Sequence, residues 1–237
     1  MTFNEKMRFG NFLQNDGTID FYLRIRTLIN KNSKVLDYGA GRAKWYEDEE
    51  CITRKEIRYL KDDAKILIAA DIDSNVLKNR ASHKQVIINN NIQEYFEKEY
   101  FDIIISDFVI EHVEDVESFK SNIDYLLKKG GMFCARTPHK YALVSIFAQL
   151  IPNSLHNFVL KFSQPEKKQI DTFDTKFKLN TLNRISKVFK TYKNFSFIYK
   201  ANISYHFNSR IIFNLFKLLN FILPFGIGDN CFIFLKK

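Results

Sequence analysis

The chain has 237 residues, 46% of them apolar, and a formal net charge of +9. That proportion can fill a hydrophobic core and excludes a chain kept disordered by its charge. Cys51, Cys134 and Cys231 stand far apart, with no CxxC pair and no histidine at metal-ligand spacing, which excludes a disulfide framework and a cysteine-held metal.

In chain order, residues 1–14 lack the apolar run of a signal peptide, so a cytoplasmic protein with reduced thiols is expected. Residues 11–30 carry Phe12, Ile19, Tyr22, Leu23, Leu28 and Ile29, a pattern that fits a helix capping a pocket. Val35–Tyr38 reads as the first strand and Trp45–Leu60 as a mostly helical stretch. Ile66–Asp71 is the second strand, followed by a short helix from Asn75, and Gln85–Ile88 and Ile103–Ser106 are the third and fourth. Val116, Phe119, Ile123, Leu126 and Leu127 recur at helical spacing, with Gly130-Gly131 as the stop. Met132–Ala135 reads as the fifth strand. Leu179, Leu182, Ile185, Val188 and Phe189 mark a further helix, for which Asn180 is the candidate cap. Phe195–Tyr199 and Cys231–Leu235 complete a sheet. Unbroken apolar runs in the first, second and fourth strands indicate burial on both faces, as in a parallel sheet.

Residues 34–45 carry the strongest signal. A short apolar run reaches Asp37 and then a turn on Gly39 and Gly41, and the next strand also ends on an acid, Asp71. Strand, glycine turn, helix, strand and acid is the order in which a parallel α/β sheet builds a nucleotide pocket. Glycines admit a ligand close to the backbone, and a carboxylate ending the second strand can accept bonds from both ribose hydroxyls. A dinucleotide fingerprint needs a third small residue, where this chain has Lys44. Asp37 would repel a pyrophosphate and could hold an ammonium, which favours an adenosyl group carrying an amino acid over NAD.

The segments VLDYGAGRA, IAADID, YFDIIISDFVIEHVED and GGMFCARTPH, in that order and spacing over roughly residues 30–140, resemble the successive motifs of class I S-adenosylmethionine-dependent methyltransferases. The resemblance implies a Rossmann-like, doubly wound, seven-stranded and mostly parallel α/β sheet with helical insertions. It implies one domain over 1–237, with a helical cap (1–30), a cofactor-binding core (31–140) and a variable substrate-side half (141–237). The cofactor would be S-adenosyl-L-methionine and its product S-adenosyl-L-homocysteine. Gly39, Ala40 and Gly41 would pass under the methionine part, with Asp37 near its ammonium. Asp71 would hold the ribose and Ile72 would touch the adenine. Where the family usually has an acid for the adenine amino group this chain has Asn90-Asn91-Ile92, and Asn91 with Ile92 is the choice. Ser106 and Asp107 would line the sulfonium and the acceptor.

Candidate bases are His112, Glu111, Asp107 and His139, of which Glu111-His112 follows the fourth strand where the acceptor sits in the family. His112 also reads as a residue tying helix to loop. Some relatives carry a further acid three residues before this Glu. Phe108 stands there, so no metal is expected. Arg136 and His139, after the fifth strand, are candidate acceptor-binding groups, and an arginine suits a carboxylate or phosphate. His156, Tyr205, His206 and Arg210 are candidates for specificity.

Charge divides the chain. Residues 1–139 hold 21 Lys/Arg against 23 Asp/Glu, whereas residues 140–237 hold 15 against 4. A basic half suits a phosphorylated substrate, RNA or an anionic membrane surface, and also reads as a solvated face. A small-molecule acceptor, with methylation on oxygen of a sugar, phosphorylated or nucleotide-linked compound, is the leading expectation. RNA methylation and a non-catalytic cofactor-binding module are the alternatives, and RNA is disfavoured by the absence of an Asn-Pro-Pro-Tyr segment after the fourth strand. Residues 211–225 are too short and too interrupted for a spanning helix, which needs roughly twenty apolar residues. An amphipathic helix that covers the pocket, pairs with a second subunit or lies on a membrane is expected there, with packing on the domain or a homodimer partner preferred.

Overall fold

The strands β1 (Lys34–Tyr38), β2 (Ile66–Asp71), β3 (Lys84–Ile87), β4 (Phe101–Asp107), β5 (Leu127–Pro138), β6 (Lys193–Asn194), β7 (Phe197–Tyr199) and β8 (Asn230–Lys236) form one sheet. It was obtained as a computed structural model that describes residues 9–89, 91–143, 145–146, 175–201 and 209–237. The order is β3-β2-β1-β4-β5-β8-β6, with β7 also on β8. Pairings from β3 to β5 are parallel and those of β8 antiparallel. β6 and β7 are two short lengths of one edge, separated where Ser196 Oγ accepts from Phe234 N at 3.1 Å. Eight strands thus fill seven positions. The order reverses between β1 and β4, and the carboxyl ends of strands flanking such a reversal leave a crevice.

Alternation along β4 divides the core. Ile104 faces one side, where Leu36, Ile68 and Phe133 meet α4 (Val116–Leu126) and α5 (Leu182–Val188) through Phe119, Ile123, Ile185 and Phe189. Ile103 and Ile105 face the other, where Val35, Leu67, Cys134, Phe232 and Phe234 meet α1 (Gly17–Arg26) through Phe21, Tyr22 and Ile25. Asp16 caps α1 by accepting from the Thr18 and Ile19 amides. Further helices among the described residues are α2 (Lys44–Asp48), α3 (Ile52–Arg58) and α6 (Arg210–Ile222). All three cysteines are free and buried.

Three local expectations are corrected. The stretch 45–60 is two helices, because Glu49 turns extended and its carboxylate accepts from Cys51 N and Arg54. Gly130 and Gly131 do not stop α4. The chain is already extended at Leu127, and both glycines lie inside β5, where a Cβ at Gly131 would fall 2.8 Å from Leu127. Asn180 does not cap α5. Thr181 does, through a bond to its hydroxyl from Arg184 N.

Phe21 is fully buried and packs edge-on against Tyr22 and Phe232 with ring centroids 5.4 Å apart in each case. Phe21→Ala should lower unfolding free energy by about 3–5 kcal/mol, read from the urea midpoint.

Candidate active site

β1 ends in a turn in which Gly39 and Gly41 hold φ of 83° and 52°, a region that glycine enters without penalty. The turn is pinned to β2. Gly39 and Ala40 amides donate to the Ala70 carbonyl at 2.8 and 3.2 Å, and Gly41 N donates to Asp71 Oδ2 at 2.8 Å. Buried Asn79 adds a bond from its amide to the Gly41 carbonyl at 3.2 Å. A Cβ at Gly39 would fall 2.5 Å from Val109, whereas one at Gly41 would meet nothing within 4 Å. The turn is walled by Val109 at one glycine and open at the other.

Asp71 Oδ1 accepts from Asp73 N at 2.9 Å. A carboxylate offers about four lone-pair positions, so each oxygen keeps capacity for a ligand hydroxyl. Ile72 beside it is 68% exposed, an apolar surface at the slot, but Ile92 is 1% exposed and belongs to the core. That burial is a correction: the Ile92 side chain is not free to meet an adenine. Exposed Asn91 donates its side-chain amide to Glu94 at 2.8 Å. Asn90 lies outside the described residues.

No donor among the described residues hydrogen-bonds the Asp37 carboxylate. Burial pushes its carboxyl up to about 7. The Arg58 charge opposes this, and Asp107 and Asp71 reinforce it. A carboxyl so placed gains by ionising only when a cation arrives beside it.

Asp107 is the opposite case. Its side chain is 4% exposed, and Arg136 grips it through Nε to Oδ1 at 2.7 Å and Nη2 to Oδ2 at 2.8 Å. Tyr22 donates its hydroxyl to Oδ2 at 3.1 Å, and Arg58 Nη2 lies 3.4 Å from the same oxygen. Burial alone would raise this carboxyl, but Arg136 and Arg58 overcome that and hold it below the usual range. Arg136 also donates to Thr18 Oγ1 at 3.1 Å and faces the Phe108 ring at 4.6 Å. Phe108 itself holds φ of 57°, a conformation that costs a non-glycine residue energy. Asp107 as a base and Arg136 as an acceptor ligand are therefore corrected. Each saturates the other, and the pair ties α1 and α3 to β4 and β5.

Ser106 is fully buried and donates to the Tyr38 carbonyl at 3.1 Å, so it belongs to the frame and not to a sulfonium pocket. Glu111 is buried too. It accepts from Thr137 Oγ1 at 2.9 Å, and Asn180 donates to that hydroxyl at 2.6 Å and to the Pro138 carbonyl at 3.0 Å. This chain of bonds, and not a helix cap, is what Asn180 serves. It also removes Glu111 from the set of bases. His139 is buried, stacks on Phe225 with centroids 4.0 Å apart, and accepts from Tyr141 N at its Nδ1. Burial lowers its pKa against the opposing Asp229 charge, so the ring is neutral and packed, not turned to an acceptor. His112 closes the turn Ile110–His112 and is half-buried. His156, Tyr205 and His206 lie outside the described residues, and Arg210 is the exposed first residue of α6.

The residues that sequence reading missed are Arg58, Trp45, Tyr22, Thr18 and Asn79. Arg58 stacks over Trp45 and Tyr22 at 4.7 and 5.3 Å and keeps 24% of its side chain accessible. A cavity of about 570 Å³ bounded by Glu99, Asp124, Tyr192 and Lys237 sits at the other end of the sheet. Its polar groups bond one another, with Lys237 Nζ on the Asp124 and Leu127 carbonyls at 2.6 and 2.7 Å. It is a seam closing α4, remote from the glycine turn.

Residues 51–135 match the methyltransferase domain family. No curated protein matches the chain. Among solved structures, a SAM-dependent methyltransferase from Archaeoglobus fulgidus is 17% identical, with a TM-score of 0.52 over 99% of this chain and 98% of that one. A chain from the complex of the Haloferax volcanii Trm112 methyltransferase activator with its methyltransferase is 12% identical, with a TM-score of 0.57 over 98% and 90%. Likeness at such identities establishes the fold. The family match begins after the glycine turn, so the roles of Asp37, Gly39 and Gly41 rest on their geometry.

Arg136→Ala leaves Asp107 buried without its bidentate partner and should cost about 3–5 kcal/mol of stability. In a double-mutant cycle with Asp107→Asn, followed by urea unfolding, the combined loss should fall well short of the sum.

Proposed function

We propose, for a chain that is a class I S-adenosylmethionine-dependent methyltransferase in fold and in its matched domain, that the methyl acceptor is an oxygen of a polar or anionic small molecule. A sugar, a phosphorylated compound or a nucleotide-linked intermediate of surface-glycan or secondary metabolism is the class that fits.

The observation that carries the cofactor assignment is the glycine turn between Asp37 and Asp71. The slot is open at Gly41, bounded by a carboxyl with no hydrogen-bond donor at one end and by a carboxylate with spare lone pairs at the other. Asp37 would hold the ammonium, Asp71 the ribose hydroxyls and Ile72 the adenine face, with the Asn91 carbonyl oxygen available to the adenine amino group. The bound cofactor supplies a methyl group already activated on a sulfonium. The protein's work is to align the acceptor with it and to exclude water. Val109, following β4, lies against Gly39 of the turn.

Two features support a polar or anionic acceptor. Arg58 keeps 24% of its side chain accessible, whereas Arg136 is spent on Asp107. His112, in the segment after β4 where the methyl acceptor sits in the resembled family, is the candidate to hold or accept the acceptor's proton. A general base contributes roughly 10²–10⁴-fold where the acceptor is a hydroxyl.

Calorimetric titration with S-adenosylmethionine and S-adenosylhomocysteine, with NAD as control, tests the reading. Binding of the adenosyl ligands alone supports it, and NAD binding or no binding overturns it. Asp71→Ala should weaken S-adenosylmethionine affinity on the order of tenfold or more, as charged hydrogen bonds are worth about 1.5–3 kcal/mol. Unchanged affinity would remove the ribose assignment. The Asp37 carboxyl, at about 7 in the free protein, must ionise to receive a cation. Affinity should therefore hold above about pH 7 and fall by up to about tenfold per unit toward pH 5, with proton release on binding. Asp37→Asn should flatten that dependence, measured in buffers of different ionisation heat.

A further inference from the structure

α6 is the one apolar helix of the described residues that buries none of its side chains. Ile211, Leu215, Leu218 and Ile222 recur at i, i+4, i+7 and i+11 and lie on a single stripe, which is exposed along its length, with Ile211 at 81%. Phe221, beside the stripe, is 88% exposed. The polar positions do not shield it. Asn220 turns inward, where its side-chain oxygen accepts from Ile227 N at 2.7 Å. Arg210 and Lys217 flank the stripe, and the helix holds no acid. A contiguous exposed apolar face of this size marks a place where something docks.

We infer that α6 is a docking helix for an anionic lipid surface, with the stripe in the acyl boundary and Arg210 and Lys217 at the headgroups. Charge selects this occupant. The helix itself carries Arg210 and Lys217 and no acid, a charge that anionic headgroups attract and a second copy of the helix repels. Nucleic acid would be read by cations and stacked rings, and this face offers one ring, Phe221, beside four aliphatic side chains. A lipid surface takes both features together. The flanking aromatics agree. Leu223 and Pro224 lead from α6 to Phe225, which stacks on His139 and lies 6.1 Å from the half-exposed Tyr141 ring. Aromatic rings favour the level of the headgroups. No helix among the described residues is long and apolar enough to cross a membrane, so the contact lies at the surface.

This inference is independent of the methyl acceptor, and its test needs no turnover. The full chain is floated with phosphatidylcholine vesicles containing phosphatidylglycerol, and with phosphatidylcholine alone. Binding to the anionic vesicles should exceed binding to the neutral ones, weaken with added salt, and fall on the order of tenfold in Leu215→Glu/Leu218→Glu. Melting temperature and S-adenosylmethionine affinity should be unchanged in that variant. Ile211→Ser, at the exposed first turn, reads the same contact should the double variant fail to fold. Failure to bind either vesicle overturns the inference, as does binding that these variants leave intact. A dimer in sedimentation equilibrium that the variants split, without vesicle binding, would assign the stripe to a second copy.

Discussion

Asp107 is held below the protein's surface as an anion, and the site above the sheet exists because that charge is compensated. Desolvating a carboxylate costs several kcal/mol, which is recovered only when geometry and hydrogen bonding are both good. Here the fork of Arg136 supplies two parallel bonds from β5, Tyr22 a third from α1, and Arg58 a second positive charge from α3. Three elements distant in sequence thus converge on one side chain of a fourth, β4, at the carboxyl edge. Arg136 extends the tie to Thr18 in the first turn of α1, so α1 is fixed at both its apolar face and its amino end.

Asp37 shows what the same edge does with a carboxyl that is left without a hydrogen-bond donor. It lies on β1 opposite Ile105 of β4, two residues short of Asp107. One acid is pushed down by arginines and the other pushed up by burial, although both feel Arg58. Such pairs, with environments that drive their pKa values apart, divide tasks between them. Asp107 builds the frame, whereas Asp37 is left without a hydrogen-bond donor among the described residues. The separation also explains why Arg58 is not fully claimed. It stabilises Asp107 at 3.4 Å, longer than the Arg136 bonds, and retains accessible surface.

The strands and the glycine turn were legible because their causes are local: unbroken apolar runs, two glycines in φ-positive positions, an acid closing each of the first two strands. The roles of Ser106, Asp107, Glu111 and Arg136 were not, because each depends on register. Side chains alternate faces along a strand. Asp107 therefore shares the α1 face with Ile103 and Ile105, and Arg136 shares it with Cys134. The β4–β5 register then sets Asp107 directly beside Arg136. Thr137, one step on, faces the other layer, where it meets Glu111 and Asn180. Parity alone separates the two networks, but the pairing across strands is not encoded in any spacing within one segment. Tyr22 was read correctly as an apolar helix position, and its hydroxyl partner 85 residues away had no local signature.

Helical periodicity has a similar blind spot. α4 and α6 both show a clear apolar face in sequence, which for α6 suits packing onto the domain or onto a partner. α4 buries Val116, Phe119, Ile123 and Leu126 against the sheet, whereas α6 buries none of its residues. Periodicity reports that a helix has an apolar side, and only contacts report what covers it. The inward turn of Asn220 fixes the difference. By accepting from Ile227 N it closes the loop into β8 and commits a polar position of α6 to the protein side. The aliphatic stripe lies on the exposed side. The half-buried side is apolar as well, through Ile212, Phe216 and Leu219, so α6 carries apolar side chains on both sides.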